Sequence, residues 1–124
     1  MKFASVRVVT RDIDGLVAFY QRLSGMEAVR PADGFAEMQF EGATLAISSE
    51  HLIELFNVGA ATAAANQSAI LEFEVEDVDA VFERMNTSGT NIVMPTTLMP
   101  WGNRSLLLRD PDGNLVNIFS RPKR

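Results

Sequence analysis

Asp12-Ile13-Asp14-Gly15-Leu16-Val17-Ala18-Phe19-Tyr20-Gln21-Arg22-Leu23-Ser24-Gly25 is the stretch on which the fold turns. Asp12 suits a helix start, because its carboxylate can accept from the backbone N–H groups that a first turn leaves unpaired. Ile13, Leu16, Val17, Tyr20 and Leu23 then recur at helical spacing as one apolar stripe, and Gly25 supplies the stop. Upstream, the β-branched residues of 3–10 predict a strand. Downstream, short strands fit 26–31, 35–41 and 43–48, separated by Asp33-Gly34 and Glu41-Gly42 turns. The order is β-α-β-β-β.

The second half repeats it. Residues 68–75 predict a strand, and Asp77 caps a helix whose Val78, Val81, Phe82 and Met85 form the stripe that Gly89 ends. Strands follow near 91–94, 104–109 and 114–120, the last entered through Asp110-Pro111-Asp112-Gly113-Asn114. Asp77-Val78-Asp79 answers Asp12-Ile13-Asp14, but the shared order of elements is the stronger sign of an internal repeat. The expected organisation is α+β. Two βαβββ modules, about 3–56 and 68–120, form one domain over 1–124, joined by an Ala- and Gly-rich linker over 57–67. A short helix capped by Ser49, with Leu52, Leu55 and Phe56 at helical spacing, closes the first module.

Composition narrows the function. The 124 residues are 47% hydrophobic, enough for a core without staples. A formal charge of −5 argues against a nucleic-acid partner, which needs a basic surface. No run approaches a membrane span and no leader-like apolar region opens the chain, so the expected location is the cytoplasm, without a membrane partner. Cysteine is absent, which removes thiol catalysis and thiolate metal sites. The one histidine, His51, falls in the first turn of the short helix and reads as a polar surface residue. The end, Arg121-Pro122-Lys123-Arg124, reads as a solvated basic tail.

The paired modules, an Asp at each helix start, Phe19-Tyr20 in the first helix and Asp-Pro-Asp-Gly-Asn before the last strand resemble the vicinal oxygen chelate superfamily over about residues 3–120. That group includes glyoxalase I, extradiol dioxygenases, fosfomycin-modifying enzymes and bleomycin-resistance binding proteins. The resemblance implies a curved mixed sheet in each module with a helix on its convex face, and a homodimer with composite clefts. It also implies where metal ligands would stand: seven positions before each helix-start Asp, and three after the Asn of the turn motif or its counterpart. Those positions hold Ser5, Ile70, Asn117 and Ala46. Serine and asparagine offer neutral oxygens, alanine and isoleucine nothing, whereas a catalytic divalent ion wants imidazole or carboxylate ligands. The expectation is therefore no metal and no cofactor. A slip of register by one or two residues would instead offer His51 or Glu54.

Strand alternation assigns the cleft. Ser5 and Arg7, Glu37 and Gln39, Ile70 and Glu72, and Asn117 with Leu115 and Phe119 fall on the faces opposite the helices. Trp101-Gly102, in the long connection Pro95 to Arg104, is similar to the bleomycin-resistance branch, where an aromatic ring stacks on flat ligand groups; an anchor for the loop or a subunit contact is the alternative. The resulting expectation is a metal-free protein that binds a drug-like or metabolite ligand through Ser5, Arg7, Glu37, Gln39, Ile70, Glu72, Trp101, Asn117 and Phe119. The alternative is a metal-independent lyase, isomerase or hydrolase. Glu72 or Glu37, raised in pKa by burial, would be its general base, and Arg7 would steady a developing oxyanion.

Overall fold

The computed structural model describes residues 1–122. Lys123 and Arg124, in the basic tail, lie outside the described residues. The chain divides into two compact units, Met1–Ala65 and the stretch from Asn66 onward, and the boundary lies inside the expected linker.

The first unit runs β1 (Ser5–Thr10), α1 (Ile13–Ser24), β2 (Val29–Ala32), β3 (Phe35–Gln39), β4 (Thr44–Ser49) and α2 (Glu50–Phe56). Its sheet has the order β1-β4-β3-β2, with β1 parallel to β4 and the other pairs antiparallel. The Asp12 carboxylate accepts from the Gly15 N–H at 3.0 Å, a cap worth about 1 kcal/mol. Gly25 ends α1 at φ 74°, a left-handed conformation that a side chain would oppose. Leu16, Val17, Phe19, Tyr20 and Leu23 are buried against Ala36, Met38, Leu45 and Ile47 of the sheet. Ile13, first of the predicted stripe, is only half-buried, whereas Phe19 joins the core.

The second unit repeats the plan with β5 (Ile70–Glu74), α3 (Val78–Thr87), β6 (Asn91–Leu98), β7 (Arg104–Arg109) and β8 (Leu115–Ser120) in the order β5-β8-β7-β6. Asp77 caps α3 as Asp12 caps α1, accepting from Ala80 N–H at 3.1 Å. Val78, Val81 and Met85 meet Leu71, Leu106, Leu108, Val116 and Ile118 in the core. Asp14 and Asp79, matching positions in the two helices, each pair with an arginine of their own sheet, Arg30 at 2.9 Å and Arg104 at 2.7 Å. These are exposed pairs worth about 0–1 kcal/mol each, and their arginines stand on non-equivalent strands, β2 and β7, so only the aspartates repeat.

Several expectations need correction. The strand expected over 91–94 continues to Leu98 through Pro95, so the long connection shrinks to 99–103. Strand β6 is an edge, where a proline need not interrupt the ladder, and two register shifts against β7 take up the irregularity. The helix expected from the spacing of Leu52, Leu55 and Phe56 is present, but of these only Leu52 is half-buried; Leu55 and Phe56 are exposed and Ile53 is the buried residue, because a seven-residue helix turns one narrow face inward. Arg121 is more than a solvated tail residue, since it pairs with Glu74 at 3.0 Å and lies over the Phe119 ring at 5.5 Å.

Ser49 caps α2 by accepting from His51 N–H at 3.1 Å. Glu50 ties the helix to its surroundings. It accepts from the Ala63 backbone N–H at 2.7 Å and from Arg11 Nε at 3.0 Å. Those partners, the Ala63 hydrogen bond above all, hold its carboxyl below the ordinary value of 4.5. A depressed folded-state pKa adds stability that is present above the unfolded value and is lost as pH falls through the folded one. Urea midpoints of wild type and Glu50→Gln should therefore differ at neutral pH and converge once the pH falls well below 4.5. A gap that persists unchanged into acid would refute the assignment.

Candidate functional site

Residues directly opposed on neighbouring strands share a face, so the ladder registers lay out the helix-free side of each sheet in rows. In the first unit Ser5, Thr44 and Gln39 form one row. Arg7, Ala46, Glu37 and Val29 form the next, and Val9, Ser48 and Phe35 the third. Arg7 is exposed and Glu37 half-buried, while Ala46 and Ser48 between them are buried. The alternation expected for Ser5, Arg7, Glu37 and Gln39 holds because Val6, Val8, Ala36 and Met38 take the helix side.

In the second unit Ile70 stands opposite Leu115, Glu72 opposite Asn117, and Glu74 opposite Phe119; Leu107 and Ser105 of β7 extend the last two rows. Ile70 and Glu72 are exposed, and Leu115, Asn117 and Phe119 are half-buried. The exposure of Glu72 removes the burial on which its role as a raised general base was expected to rest. Asn117 donates through Nδ2 to Glu72 at 2.8 Å. A carboxylate can only accept, so this bond fixes the amide and turns Oδ1 the other way. That Oδ1 is buried and has no partner, and neither has the buried Ser48 Oγ of the first unit. Buried polar atoms are nearly always hydrogen-bonded, so these two stand out, as do Thr90 Oγ1, Thr96 Oγ1 and Asp112 Oδ2 elsewhere in the second unit.

Trp101 sits at the tip joining β6 to β7, where Met99 N–H donates to the Asn103 carbonyl at 2.7 Å and Gly102 N–H to the Met99 carbonyl at 2.9 Å. The ring is 65% exposed, so it does not anchor its loop. Gly102 has φ 100°, and a Cβ there would lie 2.8 Å from Pro122, which leaves the tip little room for another residue.

The positions that the resemblance marks for metal ligands do not fit a resident divalent ion. Ser5 is opposed by Thr44, Ala46 lies between Arg7 and Glu37, Ile70 faces Leu115, and Asn117 is committed to Glu72. No three His, Cys, Asp or Glu side chains gather anywhere among the described residues. His51 and Glu54 are exposed and lie on α2, not on a strand.

Sequence reasoning left several members of these faces without a role, among them Ser48, Phe35 and Leu107. Ser48 was legible only as a neighbour of Ala46, and nothing in its identity signalled an orphaned hydroxyl. Phe35 follows from extending the Glu37–Gln39 alternation one step back. Leu107 needed the faces of β7, whose run Leu106-Leu107-Leu108 carries no alternation to read.

Among known proteins, the chain is 26% identical over 125 residues to the uncharacterized protein YraH of Bacillus subtilis (strain 168), with 96% of this chain and 98% of that protein covered. A solved structure of a protein of unknown function from Agrobacterium tumefaciens str. C58 superposes with a TM-score of 0.80 at 26% identity, covering 97% of this chain and 94% of that one. A glyoxalase/bleomycin resistance protein/dioxygenase family enzyme from Burkholderia phytofirmans PsJN superposes with a TM-score of 0.81 at 21% identity, covering 94% and 95%. Residues 2–118 match the family described as the Glyoxalase/Bleomycin resistance protein/Dioxygenase superfamily, and with two βαβββ units behind that match the chain belongs to this superfamily.

Proposed function

We propose that the protein binds a small organic molecule, drug-like or metabolite, on the helix-free faces of its sheets, without a resident metal. Asn117 carries the reading. It stands where metal-using relatives are expected to place a carboxylate ligand, yet its amide is locked to Glu72 and offers a lone buried acceptor. A neutral acceptor beside a carboxylate suits an N–H or O–H donor of an organic ligand, with Leu115 and Phe119 of the same strand face adding apolar contact. Arg7 and Glu37 offer a cation and an anion on the other unit's face. Trp101, exposed at its tip, is available for stacking. A homodimer in the cytoplasm, with no nucleic acid or membrane partner, completes the reading.

Native mass spectrometry of protein purified without a metal-affinity tag tests it. The expected result is a dimer carrying an organic mass, with less than about 0.1 equivalent of Zn, Ni, Fe or Mn by elemental analysis. One equivalent of such an ion per chain overturns the proposal, because that much occupancy requires a ligand set these positions lack.

Catalysis by a glutamate is the second reading, favoured by one observation: Asn117 holds the Glu72 carboxylate in a fixed orientation. On that reading Glu72→Gln abolishes turnover of a compound the protein still binds, since an amide cannot accept the proton. Undiminished turnover removes Glu72 from the chemistry.

A further inference from the structure

We infer that residues 57–65, the connector after α2, form a strap that Glu50 clasps shut and that a strained turn at Ala64 pulls towards opening, so that one carboxylate sets the length of free chain between the two units. The inference is independent of what either sheet face binds.

The strap has little of its own to hold it. Asn57 to Ala60 closes as a turn, with Ala60 N–H donating to the Asn57 carbonyl at 2.9 Å. Every residue of 57–65 is exposed except Ala63. Ala63 is 6% exposed, and its N–H donates to Glu50 Oε2 at 2.7 Å. The other oxygen of that carboxylate accepts from Arg11 Nε at 3.0 Å, so the acceptor is oriented from the segment between β1 and α1. A hydrogen bond to an ionised acceptor is stronger than one between neutral groups. Among the described residues, this bond is what ties 61–65 back to the first unit.

Just beyond Ala63 the chain is pinned again. Asn66 Nδ2 donates to the Ala69 carbonyl at 3.0 Å and to Asn114 Oδ1 at 3.1 Å, which fixes the start of the second unit. Ala64 and Ala65 alone lie between the two pins. Ala64 has φ 56°, and among the described residues it is the one non-glycine at positive φ. Its Cβ opposes that conformation, and such strain persists only where the surroundings impose it. Here the pins on either side impose it, so the strain pulls against the Glu50 clasp. With the clasp shut, the chain from Ala63 to Asn66 reaches at most about 10 Å. With it open, the chain from Asn57 to Asn66 reaches about 30 Å, a tether about three times as long.

The chain has no cysteine, so spin labels can be placed without first removing one. Labels at Glu54→Cys on α2 and Gln67→Cys beyond the strap, both exposed positions, report its length by double electron–electron resonance in full chain diluted with unlabelled protein. Hydrogen exchange at the Ala63 amide, followed by NMR, reports the clasp. The parent chain should give a narrow distance distribution and a protected Ala63 amide. Glu50→Ala should cut that protection at least about tenfold and spread the distances upward, while core amides of β4 and β8 keep theirs. Ala64→Gly should act in the opposite direction, raising Ala63 protection about fivefold, since glycine adopts φ 56° without the Cβ clash. A residue with only a general structural role would not give changes of opposite sign in these two variants. The inference is overturned by an unprotected Ala63 amide in the parent, or by protection that survives Glu50→Ala. It is equally overturned if Ala64→Gly leaves protection unchanged or lowers it, if the distances ignore Glu50→Ala, or if the core amides loosen together with Ala63.

Discussion

Asp110→Ala should lower the thermal midpoint by about 10–20 °C, read by circular dichroism, the largest loss expected from a single change outside the apolar core. The carboxylate is 5% exposed and serves as the hub of the last turn. It accepts from Asp112 N–H at 2.9 Å, from Asn114 N–H at 2.9 Å and from Asn114 Nδ2 at 2.7 Å. The turn also closes through its backbone, with Asp110 N–H donating to the Asn114 carbonyl and Gly113 N–H to the Asp110 carbonyl. The effect spreads beyond the turn because Asn114 Oδ1 accepts from Asn66 Nδ2 at 3.1 Å. Asn66 Oδ1 in turn accepts from Ser68 and Ala69 N–H at the entry to β5. One side chain thus sets the entry of β8 and, through two asparagines, the entry of its parallel neighbour. Alanine leaves those donors without an acceptor in a site that water reaches poorly. Each stranded donor costs about 1–3 kcal/mol, so a total near 3–5 kcal/mol is expected. Asp110→Asn should fall between, since it keeps one acceptor oxygen and sets an NH2 against that of Asn114. A loss under about 3 °C in the alanine variant would mean the backbone bonds alone hold the turn.

The sequence motif at 110–114 signals a turn, and the structure explains why those residue types occupy it. Other elements were equally legible. Asp12 and Asp77 start helices in both units because an aspartate cap and an apolar stripe are local properties that tertiary packing has no cause to override. The strand faces were legible wherever apolar and polar residues alternate, as in Ile70 to Val75. Legibility failed where a strand's identity depends on its place in the sheet. Pro95 looks like a strand end until β6 is known to be an edge, and Leu55 and Phe56 look like an anchor until Ile53 is seen to take the buried position. The candidate site was readable to the level of faces. Ser48 and Asn117 acquire their meaning from hydrogen bonds they do not make, and an unmade bond has no sequence signature. The rows themselves, which set Arg7 and Glu37 either side of Ala46, depend on a register across three strands that hairpin turns and a parallel crossover fix together.

Along β8, one step in sequence should reverse the consequence of substitution. Ile118→Ala is expected to cost about 2–4 kcal/mol, for Ile118 is 1% exposed on the helix side, and truncation leaves a cavity among Leu106, Val116 and their neighbours. Asn117→Leu, at the adjoining position, should leave stability within about 1 kcal/mol of wild type, or raise it. The substitution deletes a buried acceptor with no partner, and exposed Glu72 regains from water the hydrogen bond it loses. The same change should strip the retained organic mass from the second unit's face. That asymmetry is what distinguishes a recognition residue from a structural one. A group kept for a ligand is unsatisfied in the ligand's absence, so removing it relieves the fold and harms only binding. Urea denaturation of both variants, alongside native mass spectra, decides the matter. An Asn117→Leu protein as unstable as Ile118→Ala would assign the amide to the scaffold and leave the second face without its recognition atom.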